Sequence, residues 1–268
     1  MLKPFFEKHS IEAISLLCEF SGEVDRAGLD FVRGEAKLIQ RRLPFRRIKR
    51  RAPAGAAAHE LTASQPEVVG YMFLQKAHDE ETENFEISGD RASFSSMAYS
   101  SFESFFADSL FYLTKANDAF AISGNRLKRV LLRYKDSFSS EFMDWEPYES
   151  LRLGSPYLLS PAIQKGEFWH FEAGFFAPVT APDILLNNYK VEHNLSVSDS
   201  DTQDSSFILN IKLVHLFESP SFGSSTDFSE TLRSTVELLR HQHKQIFYNI
   251  LSDGLAERIG LTAPTQGE

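Results

Sequence analysis

Residues 10–20 alternate between apolar and polar positions. Ile14, Leu16, Cys18 and Phe20 share one side, with Glu12 at the frayed start. A period of two predicts a half-buried strand. The period then changes. Leu29, Val32, Ala36, Ile39 and Leu43 step by three and four, which predicts an amphipathic helix. Asp25 is its N-cap candidate and Pro44 its stop. Residues 44–66 lose all period. They run basic, then rich in Ala, Pro and Gly, and read as a mobile loop. Strands are predicted near 67–76, 83–88 and 91–97, the last two joined as a hairpin across Ser88-Gly89-Asp90.

A second helix is predicted to open at Ser100, with Glu103 completing a capping box. Its apolar face is Phe102, Phe105, Phe106, Leu110 and Leu113. Gly124-Asn125 turns the chain into a strand at 126–136. There Val130, Leu132 and Tyr134 point one way, and Arg129, Leu131, Arg133 and Lys135 the other. A loop-rich stretch with short helical pieces covers 139–163. Strands follow near 166–176, 189–197 and 205–217, the last pair joined by a Ser/Asp-rich tip. A long helix begins after Asp227, with Glu230 in the capping-box position. Leu232, Val236, Leu239, His243, Ile246 and Ile250 mark its buried stripe. Gly254 breaks it and Gly260 ends it.

The element order predicts an α+β fold. A mostly antiparallel sheet is built from a duplicated strand-helix-three-strand-helix unit, with the long helices on one face. The halves are 1–120 and 121–268, together one compact unit, and they correspond in element order at 10–118 and 124–259. The opposite sheet face is then an open binding surface.

Composition sharpens this picture. A length of 268 residues allows one large domain or two small ones. With 24 phenylalanines the interior must be largely aromatic, which suits a sheet-built core. The lone Cys18 excludes a disulfide framework and Cys-based zinc or iron–sulfur sites. No apolar run is long enough for a transmembrane helix. The charges in MLKPFFEKHSIE do not fit a signal peptide. The expectation is a soluble, cytoplasmic protein without metal or cofactor.

The net charge of −9 argues against a generic nucleic-acid binder. It is unevenly distributed. RRLPFRRIKRR, residues 41–51, holds seven cations, and without them the rest stands at −16. Arg41 and Arg42 end a helix, where cations favour the dipole. Arg46, Arg47, Lys49, Arg50 and Arg51 interleave with Phe45 and Ile48. Guanidinium groups suit phosphate, and the apolar residues suit a base or a lipid interface. Nucleic acid, anionic lipid and an acidic protein are the candidate partners, against a merely solvated loop. Arg129, Arg133 and Lys135 form a second basic surface, unless salt bridges within the sheet consume them.

Catalytic motifs are missing. The glycines never take G-x-G-x-x-G or G-x4-G-K-[ST] spacing, and G-x-S-x-G and H-E-x-x-H do not occur. His241 and His243 lie too far around a helix to share a metal. His243 reads as a core histidine, and His241 as a surface partner of Glu237. His170 and Glu172 share one face of a strand, either as an acid/base pair or as exposed polar residues. Asp199, Asp201 and Asp204 start like a calcium loop but lack its glycine and closing glutamate, leaving a solvated tip. The acidic run Asp79, Glu80, Glu81, Glu83 and Glu86 reads as a solvated hairpin loop or an acidic docking edge.

Several segments taken in order resemble a sporadically distributed, uncharacterised family of prokaryotic proteins catalogued only by number. They are HSIEAISLLCEF at 9–20, Gly70-Tyr71-Met72-Phe73, Phe94-Ser95-Ser96 with YSSFESFF, Arg129 to Tyr134, Ile208 to Ile211 and Phe247 to Ser252. Asn210 and Lys212 stand where the family carries acids, and Asp136 and Ser137 where it carries Asn and Arg. A carboxylate-based activity at those positions would be lost here. The resemblance implies no established activity, and its patchy distribution implies accessory gene neighbourhoods, phage-defence loci among them. The sequence thus leads to a non-enzymatic binding or sensor module acting with a partner protein. The alternatives are a nucleic-acid or anionic-membrane binder through 41–51, and an enzyme of unfamiliar type.

Overall fold

A computed structural model describes residues 3–4, 9–51, 66–140, 150–158, 169–177, 183–197, 203–216 and 225–262. In chain order the elements are β1 (Lys3–Pro4), β2 (Ile11–Phe20), α1 (Arg26–Ile39), β3 (Phe45–Arg51), β4 (Glu67–Ala77), β5 (Glu80–Ser88), β6 (Arg91–Ser96) and α2 (Phe102–Ile122). There follow β7 (Leu127–Ser140), β8 (Trp169–Ala177), β9 (Ile184–Val197), β10 (Gln203–Leu216), α3 (Ser225–Ile250) and α4 (Asp253–Arg258). The strands form a ten-stranded, mostly antiparallel sheet in the order β3-β4-β5-β6-β2-β7-β10-β9-β8, with β1 paired to β7.

Two compact units divide the chain, and the division is interleaved. One comprises Ser15–Val130 and Leu216–Arg233; the other comprises Met1–Ile14, Leu131–His215 and Ser234–Glu268.

In the 15–130 unit, aromatic packing fixes the core. Phe73, Phe85 and Phe94 stand on paired positions of β4, β5 and β6. Tyr112 of α2 stacks on Phe85 at 5.3 Å and on Phe94 at 5.0 Å. Phe20 and Phe120 stack at 3.9 Å. Asp25 caps α1 as expected, accepting from the Gly28 N–H at 2.8 Å. That bond and one from Ser123 hold the Asp25 carboxyl below its ordinary range. Gly28 is required because a Cβ there would lie 2.5 Å from the Ala119 carbonyl of α2. Burial pushes the Cys18 thiol up, so it stays neutral and unreactive.

In the 131–215 unit, β7 alternates as expected: Leu132, Tyr134 and Phe138 are buried, while Arg133 is exposed. Tyr134 stacks on His243 of α3 at 3.7 Å, and Phe138 packs against Phe247. Phe171 and Phe175 of β8 pack around Tyr189 of β9. Asp136, fully buried, accepts from Ser10 Oγ at 2.8 Å and faces His243 Nε2 at 3.5 Å. His243 is therefore a core residue.

Several expectations are corrected. Residues 45–51 are not a mobile loop: they form β3, paired antiparallel to β4 from Phe45↔Leu74 to Arg51↔Glu67. Their periodicity is missing because an edge strand exposed on both faces needs no buried side. Residues 52–65 of the same expected loop lie outside the described residues. The acids Glu80, Glu81, Glu83 and Glu86 belong to β5, not to a hairpin loop. The turn is His78-Asp79, both at positive φ (50° and 67°), as a two-residue hairpin of mirror-image type demands. Ser101 caps α2, accepting from Ser104 N, so the expected box opening at Ser100 is displaced by one residue. Asp227 lies inside the first turn of α3. The break after α3 falls at Leu251-Ser252, where Ser252 caps α4, and Gly260 ends the element at φ 69°. His241 bonds Gln245 at 2.7 Å, one turn ahead, and no bond to Glu237 occurs among the described residues.

Two predictions follow from this packing. Leu132→Ala removes a side chain with 0% exposure and should lower stability by about 2–5 kcal/mol in thermal or urea melts. Replacing His78-Asp79 by Asn-Gly relieves two left-handed residues and should raise stability by about 1 kcal/mol, read from the denaturant midpoint.

Candidate functional site

Strand β3 carries the first group of candidate residues. It ends the strand order, so one backbone edge meets β4 and no described strand covers the other. Side chains alternate: Phe45, Arg47 and Lys49 point to one face, Arg46, Ile48 and Arg50 to the other. On the first face β5 answers the charge. Arg47 pairs with Glu81, and Lys49 with Glu86, which also accepts from Ser88 Oγ at 2.9 Å. Arg51 reaches Glu23 at 3.4 Å, and Arg42 pairs with Asp108. The acidic run of the sequence is thus in part the counter-charge of the basic run. Nearby, burial and the Asp108 charge push the Glu83 carboxyl up.

On the second face Arg46 lies 6.0 Å from the Tyr71 ring centroid. Among the described residues no carboxylate pairs with Arg46 or Arg50. Phe45 and Ile48 are exposed beside them, at 50% and 41%. Among the described residues the strand therefore offers an uncovered backbone edge, two guanidiniums without a carboxylate about 13 Å apart and an exposed apolar side chain between them.

The second group sits on β7, and the structure separates its members. Arg129 donates to Glu19 at 3.1 Å, and that carboxylate's side chain is only 9% exposed. Lys135 pairs with Glu12, which also accepts from Ser137 Oγ. These two cations are sheet salt bridges. Arg133 alone is exposed and, among the described residues, meets no carboxylate. It lines a hollow of about 280 Å³ together with Lys190, Lys212, Glu172, Glu192 and Asn188. Glu172 and His170 do share a face of β8, both exposed, with Glu172 opposite Lys190 and His170 opposite Glu192.

Sequence reasoning missed Lys190 and did not connect Lys212 with Arg133. The signal for Lys190 was present: Leu185, Asn187, Tyr189 and Val191 are buried, so Asn188, Lys190 and Glu192 must face away. Which strands lie beside one another was not readable.

Ser10, Asp136 and His243 do meet, but the carboxylate stands between hydroxyl and imidazole, the reverse of a serine hydrolase. Among the described residues no three His, Cys, Asp or Glu side chains group to hold a metal. No described helix is long and apolar enough to cross a membrane. Asp199 and Asp201 lie outside the described residues. No protein-family model matches the chain, and no curated protein matches it.

The pairing difference on β7 has a measurable consequence. Arg129→Ala removes the nearer of two cations from the Glu19 carboxylate, leaving Arg91 at 3.8 Å, and should lower stability by about 1–3 kcal/mol. Arg133→Ala should leave the melting temperature nearly unchanged, because an exposed cation without a partner contributes little.

Proposed function

We propose that this chain is a non-enzymatic binding module that docks an acidic, extended segment of a partner protein along β3. One observation carries the reading: β3, whose five charged residues are all cations, ends the strand order, and among the described residues no strand covers its outer backbone edge. An open edge is a template for strand addition, in which main-chain bonds give affinity and alternate side chains give specificity. The pattern of β3 sets that specificity. Arg46, Ile48 and Arg50 ask for acid, apolar and acid at alternate positions of the incoming strand. On the other face Arg47 and Lys49 already have their counter-charges.

The same pattern disfavours a second copy of this chain. Antiparallel pairing of β3 with itself would set cation against cation, which destabilises. Nucleic acid and anionic membrane are less well served, since Arg47, Lys49 and Arg51 are engaged by glutamates and the net charge is −9.

The strand order supports the duplicated architecture as part of this reading. β2, β6, β5 and β4 are neighbours in that order, and β7, β10, β9 and β8 repeat it. In each proposed copy the closing helix lays aromatic rings on strands of that copy, Tyr112 on Phe85 and His243 on Tyr134. Among the described residues the extra strand β3 has no counterpart in the second proposed copy.

A fluorescent peptide alternating Val and Thr, with Glu placed four residues apart, tests the proposal by anisotropy. It should bind, weaken as salt rises, and lose at least about tenfold in affinity to Arg46→Ser/Arg50→Ser at unchanged melting temperature. Equal binding of a scrambled peptide, or binding of duplex DNA or phosphatidylserine vesicles in place of the peptide, would overturn it.

A further inference from the structure

The hollow on the 131–215 unit gathers three cations, two of which have no carboxylate partner among the described residues. Arg133, Lys212 and Lys190 stand on β7, β10 and β9, three strands that are sheet neighbours in that order, and all three line the hollow. Like charges on adjacent strands repel, so a fold selected for stability alone would not gather them. Lys190 is compensated, 2.6 Å from Glu192 and opposite Glu172. Arg133 and Lys212 are both exposed and, among the described residues, unpaired. The hollow thus has two ends. Toward β7 and β10 it is purely cationic. Toward β9 and β8 it carries two carboxylates, one lysine and the Asn188 amide.

We infer that this hollow binds a small phosphorylated metabolite bearing hydroxyl or amino groups. Its phosphoryl group lies between Arg133 and Lys212, and its hydrogen-bond donors point to Glu172 and Glu192. The chemistry selects this class. A guanidinium and an ammonium side by side suit a dianion, since the guanidinium can give two parallel N–H bonds and the ammonium adds a point charge. Carboxylates at the far end accept from hydroxyl or amino groups and repel a second phosphate. A polyanion such as nucleic acid, with charge at every step, is disfavoured by the same carboxylates. A volume of about 280 Å³ lies near the lower bound for small-molecule pockets and suits a compact ligand. The phosphate could belong to a free metabolite or to a lipid headgroup, and the test separates them.

Isothermal titration of the full chain would use inorganic phosphate, ribose 5-phosphate, ribose and phosphatidylinositol vesicles as probes. Ribose 5-phosphate should bind at least about tenfold more tightly than inorganic phosphate, and ribose should not bind measurably. Arg133→Ala and Lys212→Ala should each weaken ribose 5-phosphate by about tenfold or more at unchanged melting temperature. Glu172→Gln/Glu192→Gln should erase the preference over inorganic phosphate and spare phosphate itself. Arg46→Ser/Arg50→Ser should change none of these affinities, which separates this site from the β3 edge. Equal affinity for phosphate and ribose 5-phosphate, binding only to vesicles, or binding untouched by Arg133→Ala would each overturn the inference.

Discussion

The two-residue alternation of a pleated strand is the constraint on which the candidate surfaces depend. Along β7 it sends Leu132, Tyr134 and Phe138 into the core, and it leaves Arg133 on the opposite side. Neighbouring residues therefore do unlike work one peptide bond apart. A slip of one residue would bury a guanidinium and expose a leucine, so the core on one face fixes the charge pattern on the other. β9 obeys the same rule with Tyr189 and Val191 buried and Lys190 turned away. Any ligand surface on this sheet face inherits its precision from the apolar packing behind it.

Charge is managed by pairing strands of opposite composition. β3 and β5 both lie against β4, and the acids of β5 reach past it to meet Arg47 and Lys49. These are partly exposed pairs and contribute little to stability individually. Their effect is to neutralise one face of β3 while the other keeps Arg46 and Arg50 free. The result is a basic edge in an acidic protein. Like charges set against one another make such an edge resist pairing with another copy of itself.

One cluster of buried polar side chains in the 131–215 unit joins three segments of the chain. Ser10, Asp136 and His243 come from the segment beside β2, from β7 and from α3, and their mutual contacts hold these three segments in a single arrangement. Tyr134 stacks on the imidazole and seals it. Only Oδ1 of the buried carboxylate accepts a hydrogen bond, while Oδ2 and His243 Nε2 face each other at 3.5 Å without one, so the cluster specifies how these elements meet rather than adding to their stability.

The local pattern of residues was sufficient for most elements. Period-two and period-three-to-four stretches marked β2, α1, the β5–β6 hairpin, β7 and α3, because these elements each bury one face and the buried face imposes its spacing on the sequence. The caps shifted by a residue at α2, where adjacent serines offer the same chemistry. β3 escaped because an edge strand with two exposed faces leaves no hydrophobic period, and its formation depends on backbone bonds to β4, to which composition is blind. The same holds for the surfaces. That Arg129, Arg133 and Lys135 share a face was readable from alternation. That Glu19 and Glu12 consume two of them, while Lys212 and Lys190 join the third, was decided by which strands are neighbours. Ion pairs between strands link residues more than a hundred positions apart, and only the tertiary fold sets those distances.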